Sequence, residues 1–330
     1  MDFSIIICTY NPKEKILQRL FNAIKKFESN KLNFEVILVD NNSKVRLNTE
    51  RYVSDFLKET CAKLIIEEKP GLTSARIAGI TEAKGKWLVF FDDDNEPAQD
   101  YLIQANQAII QFPKVGAWGP GKINVEFEDE KVHVWFKKNK KYFQENDNNE
   151  IKIDNQQTWC ECYPNGTGLI LTNIIAKEYV ELVNKNKFTL SDRIGKSLLS
   201  GGDTQMVFLV IKKGFYAGIS PNLILRHIIS EDKTIIKYVL KQVYMTSSCY
   251  VKAFNEMEFD NHKIPIKLES NLRIVDLFFK SAKNHFLKFS FRNFTIDYYT
   301  RLGQLNARYV ALDMERKPLL LVISEKIINV

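Results

Sequence analysis

Along the first hundred residues, short and nearly continuous apolar runs alternate with amphipathic ones. "FSIIICTY" (3–10) is such a run, closed by Asn11-Pro12, and it predicts a buried strand. Over 13–28, Ile16, Leu20, Ala23, Ile24 and Phe27 recur three or four residues apart, which predicts a helix. "FEVILVD" predicts a second strand, ending in the polar run Asn41-Asn42-Ser43. A helix is expected over roughly 49–60, with Tyr52, Val53, Phe56 and Leu57 on one face. "KLIIEE", "LTSARIAGITEA" and "KWLVFFDD" then read as strand, helix and strand. Apolar strands separated by amphipathic helices imply a parallel sheet covered on both faces. In such sheets ligands bind at the carboxyl ends of the strands. Polar residues gather there: Thr9, Tyr10 and Asn11, then Asp40 to Ser43, then Asp92, Asp93 and Asp94 in "FFDDDNEP".

The pattern changes after residue 100. "VGAWGPGKINVEFE" combines glycines with short alternation, and "FKKNKKYFQENDNNEIKIDNQQ" is polar enough to predict a mobile surface loop or hairpin. "YPNGTGLILTNIIAKEYVEL" reads as turn, strand and helix. "DTQMVFLVIKKGFYAGISPNLILRH" reads as a helix, a turn at Gly214 and a strand ending at His227. The remainder is helical in pattern. Val275, Phe278, Phe279, Ala282, Phe286 and Phe289 form one stripe, and Phe291, Phe294, Tyr298, Leu302, Leu305 and Tyr309 another.

Composition changes this picture little. A 330-residue chain with 45% hydrophobic and 26% charged residues is an ordinary globular one. The opening "MDFSIIICTYNP" has no basic leader, its apolar run is short for a signal peptide, and no stretch reaches the ~18–20 apolar residues of a spanning helix, so a cytoplasmic protein is expected. Five scattered cysteines fit reduced thiols; Cys160 and Cys162 are read as two strand residues on one face rather than a metal knuckle. Residues 231–330 hold 16 Lys+Arg against 11 Asp+Glu, a surplus of five positive charges that suits an anionic membrane surface as well as a solvated helical face. No dense basic cluster of the kind that tracks phosphates is present, so nucleic acid is not an expected partner.

The aspartates carry the chemistry. Three adjacent carboxylates at a strand end repel, and their pKa values rise unless a cation neutralises them. A hard divalent ion, Mn²⁺ or Mg²⁺, takes carboxylate oxygens and completes its shell with substrate phosphates. An acidic turn or helix N-cap explains many such runs equally well.

Four segments narrow the choice. "SIIICTYN", "EVILVDNNS", "GLTSARIAG" and "FFDDDNEP" occur in this order with helix-sized gaps. Together they resemble the family 2 glycosyltransferases over roughly residues 1–230. The resemblance implies an α/β GT-A fold, a Rossmann-like mostly parallel sheet that binds a nucleotide diphospho-sugar, here with a C-terminal helical extension. It implies a nucleotide-sugar-binding half over 1–100, an acceptor-binding half over 101–230, and a helical region over 231–330 that shapes the acceptor site, dimerises or rests on a membrane. Thr9, Tyr10 and Asn11 match the segment along the nucleoside, with Asn42 nearby. Asp40 matches an aspartate that accepts from the base, which favours a UDP-type donor; an Asx turn is the alternative for Asp40 to Asn42. Arg76 matches an arginine near the nucleotide, although Ile77 replaces a usual Asn. A surface role paired with Glu82 or another acid is the alternative. Asp94 is the expected metal ligand, with Asp92 or Asp93 facing the ribose and the second coordination position, and Asn95 stands where many relatives carry another aspartate.

The base is expected in "LLSGGDTQMVFLVIKKGF", where Asp203 matches the family's aspartate and Gly202 replaces its Glu partner. A carboxylate there takes the proton of an attacking hydroxyl; Asp203 also suits a helix N-cap. His227 is a candidate ligand for the same Mn²⁺ or Mg²⁺. Trp118, Gly119, Gly121, Asn165, Gly166 and Gly168 either line the cleft or make ordinary turns. The implied activity is inverting transfer of a sugar to a glycan or lipid-linked hydroxyl. Abundant Lys, Asn and Ile associate the chain with bacterial surface-polysaccharide assembly. A non-catalytic sugar-nucleotide binder and a metal-dependent phosphoryl-transfer enzyme are the alternatives.

Overall fold

The computed structural model describes residues 1–28, 32–190, 192, 193, 195, 197–259, 262–286 and 290–330. They form two compact units, Met1–Thr189 with Asp203–Ile229, and Leu190–Gly202 with Ser230–Val330.

The first unit begins as the apolar runs dictate: β1 (Phe3–Thr9), α1 (Glu14–Lys25), β2 (Phe34–Asp40), α2 (Arg51–Thr60), β3 (Lys63–Ile66), α3 (Leu72–Glu82) and β4 (Trp87–Asp92). β5 (Asn95–Pro97), α4 (Tyr101–Gln111) and the long β6 (Val115–Phe127) follow. Then come α5 (Val134–Lys138), β7 (Asn146–Asp147), β8 (Lys152–Asp154), β9 (Leu169–Thr172), α6 (Asn173–Asn184), α7 (Gly202–Lys212) and β10 (Tyr216–Ile229). One sheet runs in the order β3-β2-β1-β4-β9-β6-β10-β5. Its β3-β2-β1-β4 part is parallel; β9 is antiparallel to both its neighbours, and β10 runs parallel to β6. The register sets Thr9 beside Asp40 and Cys8 beside Asp92, so three polar strand ends meet at one edge.

Ile16, Leu17, Leu20, Phe21 and Ile24 of α1 are buried, and Phe21 stacks on Phe56 of α2 with ring centroids 3.8 Å apart. The opposite face of α1 is fixed by charge at mid-helix. Arg19 bonds Glu96 at 2.6 Å and Glu126 at 2.6 Å, and Arg226 bonds the same two carboxylates, joining α1 to β5, β6 and β10.

The polar segment expected as a mobile loop or hairpin is ordered differently. β7 pairs with β6 and β8 with β10, not with one another. Two aromatics in the polar text explain this: Phe136 and Phe143 are buried, and Phe143 packs edge-on against Phe127. Trp118 is also corrected from a cleft candidate to a core residue, fully buried in β6 and edge-on to Phe112.

The second unit holds α8 (Ile236–Met257), α9 (Asn271–Phe286), α10 (Phe291–Ala311) and α11 (Leu319–Ile327). α8 and α10 approach closely at Gly303, where a Cβ would lie 2.3 Å from the Tyr244 carbonyl oxygen. The stripe expected on α9 proves to be its outer face. Val275, Phe278 and Phe279 are exposed, whereas Ile274, Leu277 and Ser281 are buried. Phe289 lies outside the described residues. On α10, Leu302, Leu305 and Tyr309 are buried as the spacing predicts, while Phe291 is exposed. Among the described residues no helix is long and apolar enough to cross a membrane.

Candidate active site

The aspartates form the turn between β4 and β5, and each meets its own donor. Asp92 Oδ2 accepts from Thr167 Oγ1 at 3.0 Å. Asp93 Oδ2 accepts a short hydrogen bond from Thr9 Oγ1. Asp94 Oδ1 accepts from Asn95 Nδ2 at 3.1 Å and lies 3.4 Å from His227 Nε2. Asn95 is fully buried and also accepts the Asp92 amide at 3.1 Å, so one amide side chain ties both ends of the turn. An ionised aspartate could not donate to Asp94, which accounts for Asn at this position.

His227 reaches the turn because β10 pairs antiparallel with β5, placing His227 opposite Asn95. Its Nδ1 lies 2.8 Å from the Phe143 carbonyl oxygen, an acceptor only, so Nδ1 carries a proton. In the neutral ring that leaves the Nε2 lone pair directed at Asp94. Two electron-pair donors 3.4 Å apart fit a shared proton or a shared cation, and an imidazole oriented through its far nitrogen is a common metal-ligand arrangement. The pair therefore fits a Mn²⁺ or Mg²⁺ ligand set.

A second convergence lies around Gly166. Arg76 on α3 is buried, and its Nη2 is 2.6 Å from the point a Cβ on Gly166 would occupy; Asp203 Oδ2 is 2.9 Å from that point. Asp203 Oδ2 accepts the Gly166 amide at 2.9 Å. Arg76 is buried rather than on the surface, and Glu82 pairs with Lys63. Asp203 sits in the first turn of α7. The amides of Gly201 and Gly202 are both bound by the buried Asp192, which gives the Gly202 backbone a structural use.

The loop after β2 is built from within. Asp40 is fully buried, and its oxygens accept the amides of Ser43 at 2.9 Å and Leu47 at 3.1 Å. These are the bonds of the turn-capping alternative. Asn41 donates to the Glu67 and Lys69 carbonyls and accepts the Gly71 amide, tying this loop to the start of α3. Asn11 and Asn42 adopt left-handed backbone, as short polar residues can. Asn11 bonds Ser43 and Lys44, and Tyr10 stands exposed at the edge.

Cys8, overlooked in the sequence, lies beside this group. Burial pushes its thiol up to about 12, Arg76 opposes the rise, and Asp92 and Asp93 add to it. A cleft of about 690 Å³ opens next to Thr167 and is walled by Pro164, Asn165, Gln144 and the segment around Cys160. Gly119 is not on that wall but lies directly behind Pro164. Gly168 has φ +69° and a Tyr101 hydroxyl on its carbonyl, so it is a turn residue.

Residues 4–163 match the sequence model described as "Glycosyl transferase family 2". The match covers just under half of the chain and is a resemblance to glycosyl transferase family 2. The matched segment contains the three strand ends and the aspartate turn, while Asp203 and His227 come from beyond it and reach it through α7 and β10. Among similar curated proteins is an uncharacterized glycosyltransferase of Haemophilus influenzae, 32% identical over 112 residues, covering 34% of this chain and 36% of that one. Glycosyltransferase AglE of Haloferax volcanii is 35% identical over 101 residues, covering 30% of this chain and 32% of that one. The match thus spans about a third of the length of these relatives. Among solved structures, S. aureus TarS 1–349 is 16% identical with a TM-score of 0.46, covering 95% of this chain and 91% of that one. The resemblance favours glycosyl transfer over the phosphoryl-transfer alternative.

Thr167 had no sequence signal beyond being a polar residue near a turn, whereas Asn41 stood in the polar run after β2. The signal for Gly166 was its place in "PNGTG", which is also an ordinary turn sequence.

Proposed function

We propose that this chain is an inverting glycosyltransferase, moving a sugar from a nucleoside diphosphate donor, UDP-type by preference, to a hydroxyl of a glycan or lipid-linked acceptor. The observation that carries the reading is the meeting of the aspartate turn with Asp203 and Arg76 in the first unit, Thr167 bonding the turn and Gly166, one residue earlier, bonding Asp203.

The residues divide the work. The β2 loop, shaped by Asp40 and Asn41, and the exposed Tyr10 face the nucleoside side of the edge. Arg76 supplies a fixed positive charge for the diphosphate. Asp203 accepts the acceptor's proton as the hydroxyl oxygen bonds to the anomeric carbon. The carbon–oxygen bond to the diphosphate breaks, and its electron pair leaves with the nucleotide. One displacement inverts the centre. Asp94 and His227 would hold the divalent ion, which when bound offsets charge on the departing diphosphate; the imidazole ligand favours Mn²⁺ over Mg²⁺.

A panel of nucleotide sugars, screened by thermal shift with and without Mn²⁺ and then by transfer to hydroxyl acceptors, tests this. A bound donor raises the melting temperature by mass action. Asp203→Asn is expected to keep that shift and lose transfer by about 10²–10⁴-fold, the usual worth of a positioned base. A panel in which no donor shifts the protein overturns the transferase reading, and full transfer by Asp203→Asn overturns the base assignment.

A further inference from the structure

The cleft has a second chemically distinctive wall. Cys160 and Cys162 were expected as neighbours on one face of a strand, but they lie in a turn after β8, and their sulfurs face each other at 3.0 Å. Asp154, the last residue of β8, joins them: its Oδ2 is 3.9 Å from Cys160 Sγ, and one ligand atom from each of the three residues lies within 4.8 Å of the others. All three line the cleft.

The surroundings hold these groups in place. Asp154 Oδ1 accepts the amides of Asn155 at 2.7 Å and Gln156 at 2.9 Å, and Oδ2, which faces Cys160 Sγ, also accepts the Gln156 side-chain amide at 2.9 Å and keeps a second lone pair for an ion. β8 itself is fixed to β10, with Asp154 opposite Ala217. The Tyr163 hydroxyl donates to the Gln156 carbonyl at 2.6 Å, and its amide bonds the Cys160 carbonyl, closing the 156–163 segment on itself. Trp159 packs edge-on against Phe208 of α7. Two sulfurs and one oriented carboxylate oxygen, on a segment braced at both ends, form three corners of a tetrahedral ligand set with a fourth open to the cleft.

We propose that Asp154, Cys160 and Cys162 bind a thiophilic divalent cation, Zn²⁺ by its ligand chemistry, which ties the 155–163 segment to edge strand β8 beside the cleft. Thiolate pairs select zinc-like ions, whereas the all-oxygen and imidazole groups of the aspartate turn suit harder ones. The fit requires a small adjustment. With Zn–S bonds of about 2.3 Å, the two sulfurs separate from 3.0 Å to about 3.7 Å, which a turn accommodates by side-chain rotation. Both thiols release their protons on binding, so affinity rises with pH. The inference is independent of glycosyl transfer and stands or falls without it.

The test uses the full chain, purified under reducing conditions. Zinc content is measured by elemental analysis after dialysis, affinity by competition with a chromophoric chelator, and sulfur ligation by the absorption of the Co²⁺-substituted protein. One zinc per chain and a sulfur-to-cobalt charge-transfer band are expected. Cys160→Ser and Cys162→Ser should each abolish the band and weaken Zn²⁺ at least ~100-fold, and Asp154→Asn about 10–100-fold. Asp94→Asn should leave the band unchanged, which separates this site from the aspartate turn. Each serine variant is checked for an unaltered far-ultraviolet spectrum, so that lost binding is not lost folding. Zinc bound equally by wild type and the folded serine variants overturns the proposal. So does reduced wild-type protein that takes up no zinc.

Discussion

Replacing Asn95 with Asp tests how the aspartate turn is held. The side chain is fully buried, accepts the Asp92 amide at 3.1 Å and donates to Asp94 Oδ1 at 3.1 Å. Asn95→Asp preserves shape and the first bond but sets a carboxylate oxygen against another. At an effective dielectric of ~20, two unit charges at this distance repel by about 5 kcal/mol. The folded protein evades part of that by keeping a proton. Holding a carboxyl of ordinary pKa near 4 protonated at pH 7 costs about 4 kcal/mol, which caps the loss. The sign follows from the direction of the shift. The new carboxyl has a raised folded pKa, so its stability is intact below about pH 4 and is lost progressively as pH rises. The deficit against wild type should therefore be small near pH 4.5 and reach about 3–4 kcal/mol at pH 7. All four tryptophans, Trp87, Trp118, Trp135 and Trp159, lie in the first unit, so urea unfolding followed by tryptophan fluorescence reports on this unit alone. Mn²⁺ should narrow the gap, because a dication at the turn offsets the added charge. A deficit below 1 kcal/mol at pH 7, or one that does not shrink toward pH 4.5, would refute the reasoning.

Two further outcomes follow from the same geometry. Gly166→Ala should lower the transfer rate by about 10–100-fold while changing stability by less than ~1 kcal/mol. The new methyl presses most closely on the far ends of Arg76 and Asp203, which can swing aside, but displacement of catalytic groups by about 1 Å is costly; equal losses in activity and melting temperature would contradict this. Cys8, with its thiol raised to about 12, should resist iodoacetamide at pH 8 while exposed Cys61 reacts, as read by peptide mass spectrometry. The raised value also means that stability from Cys8 is complete below about pH 9 and is lost as pH climbs toward 12.

The parallel strands were legible because their apolar runs were unbroken, and helices α1 and α2 because their buried faces repeat at helical spacing. The strand order beyond β4 was not. β9, β6 and β10 are joined by pairings between residues 50 to 100 positions apart, such as Trp118 with Ile170, and no local pattern encodes them. α9 misled for a different reason. Spacing identifies which residues share a face, and Val275, Phe278 and Phe279 do share one, but it does not say whether that face is covered.

The site shows the same division at finer grain. Asp94 and His227 were named separately, one from a charge cluster and one from a strand end, 133 positions apart by their numbers. Only the antiparallel register of β5 with β10 makes them neighbours, and only the Phe143 carbonyl decides which imidazole nitrogen faces the carboxylate. Phe143 is there because its ring is buried beside Phe127, in a segment whose composition reads as solvent-exposed. The tautomer of a candidate ligand thus depends on the packing of a phenylalanine whose side chain never touches it through a polar atom. His227→Gln tests that chain of dependence: the amide can accept from neither Phe143 nor Asp94 but can donate to both, so it should retain the fold and lose the Mn²⁺-dependent part of the thermal shift. If His227→Gln responds to Mn²⁺ as wild type does, the imidazole is a packing residue and the ion, if it binds at all, is held by the aspartates alone.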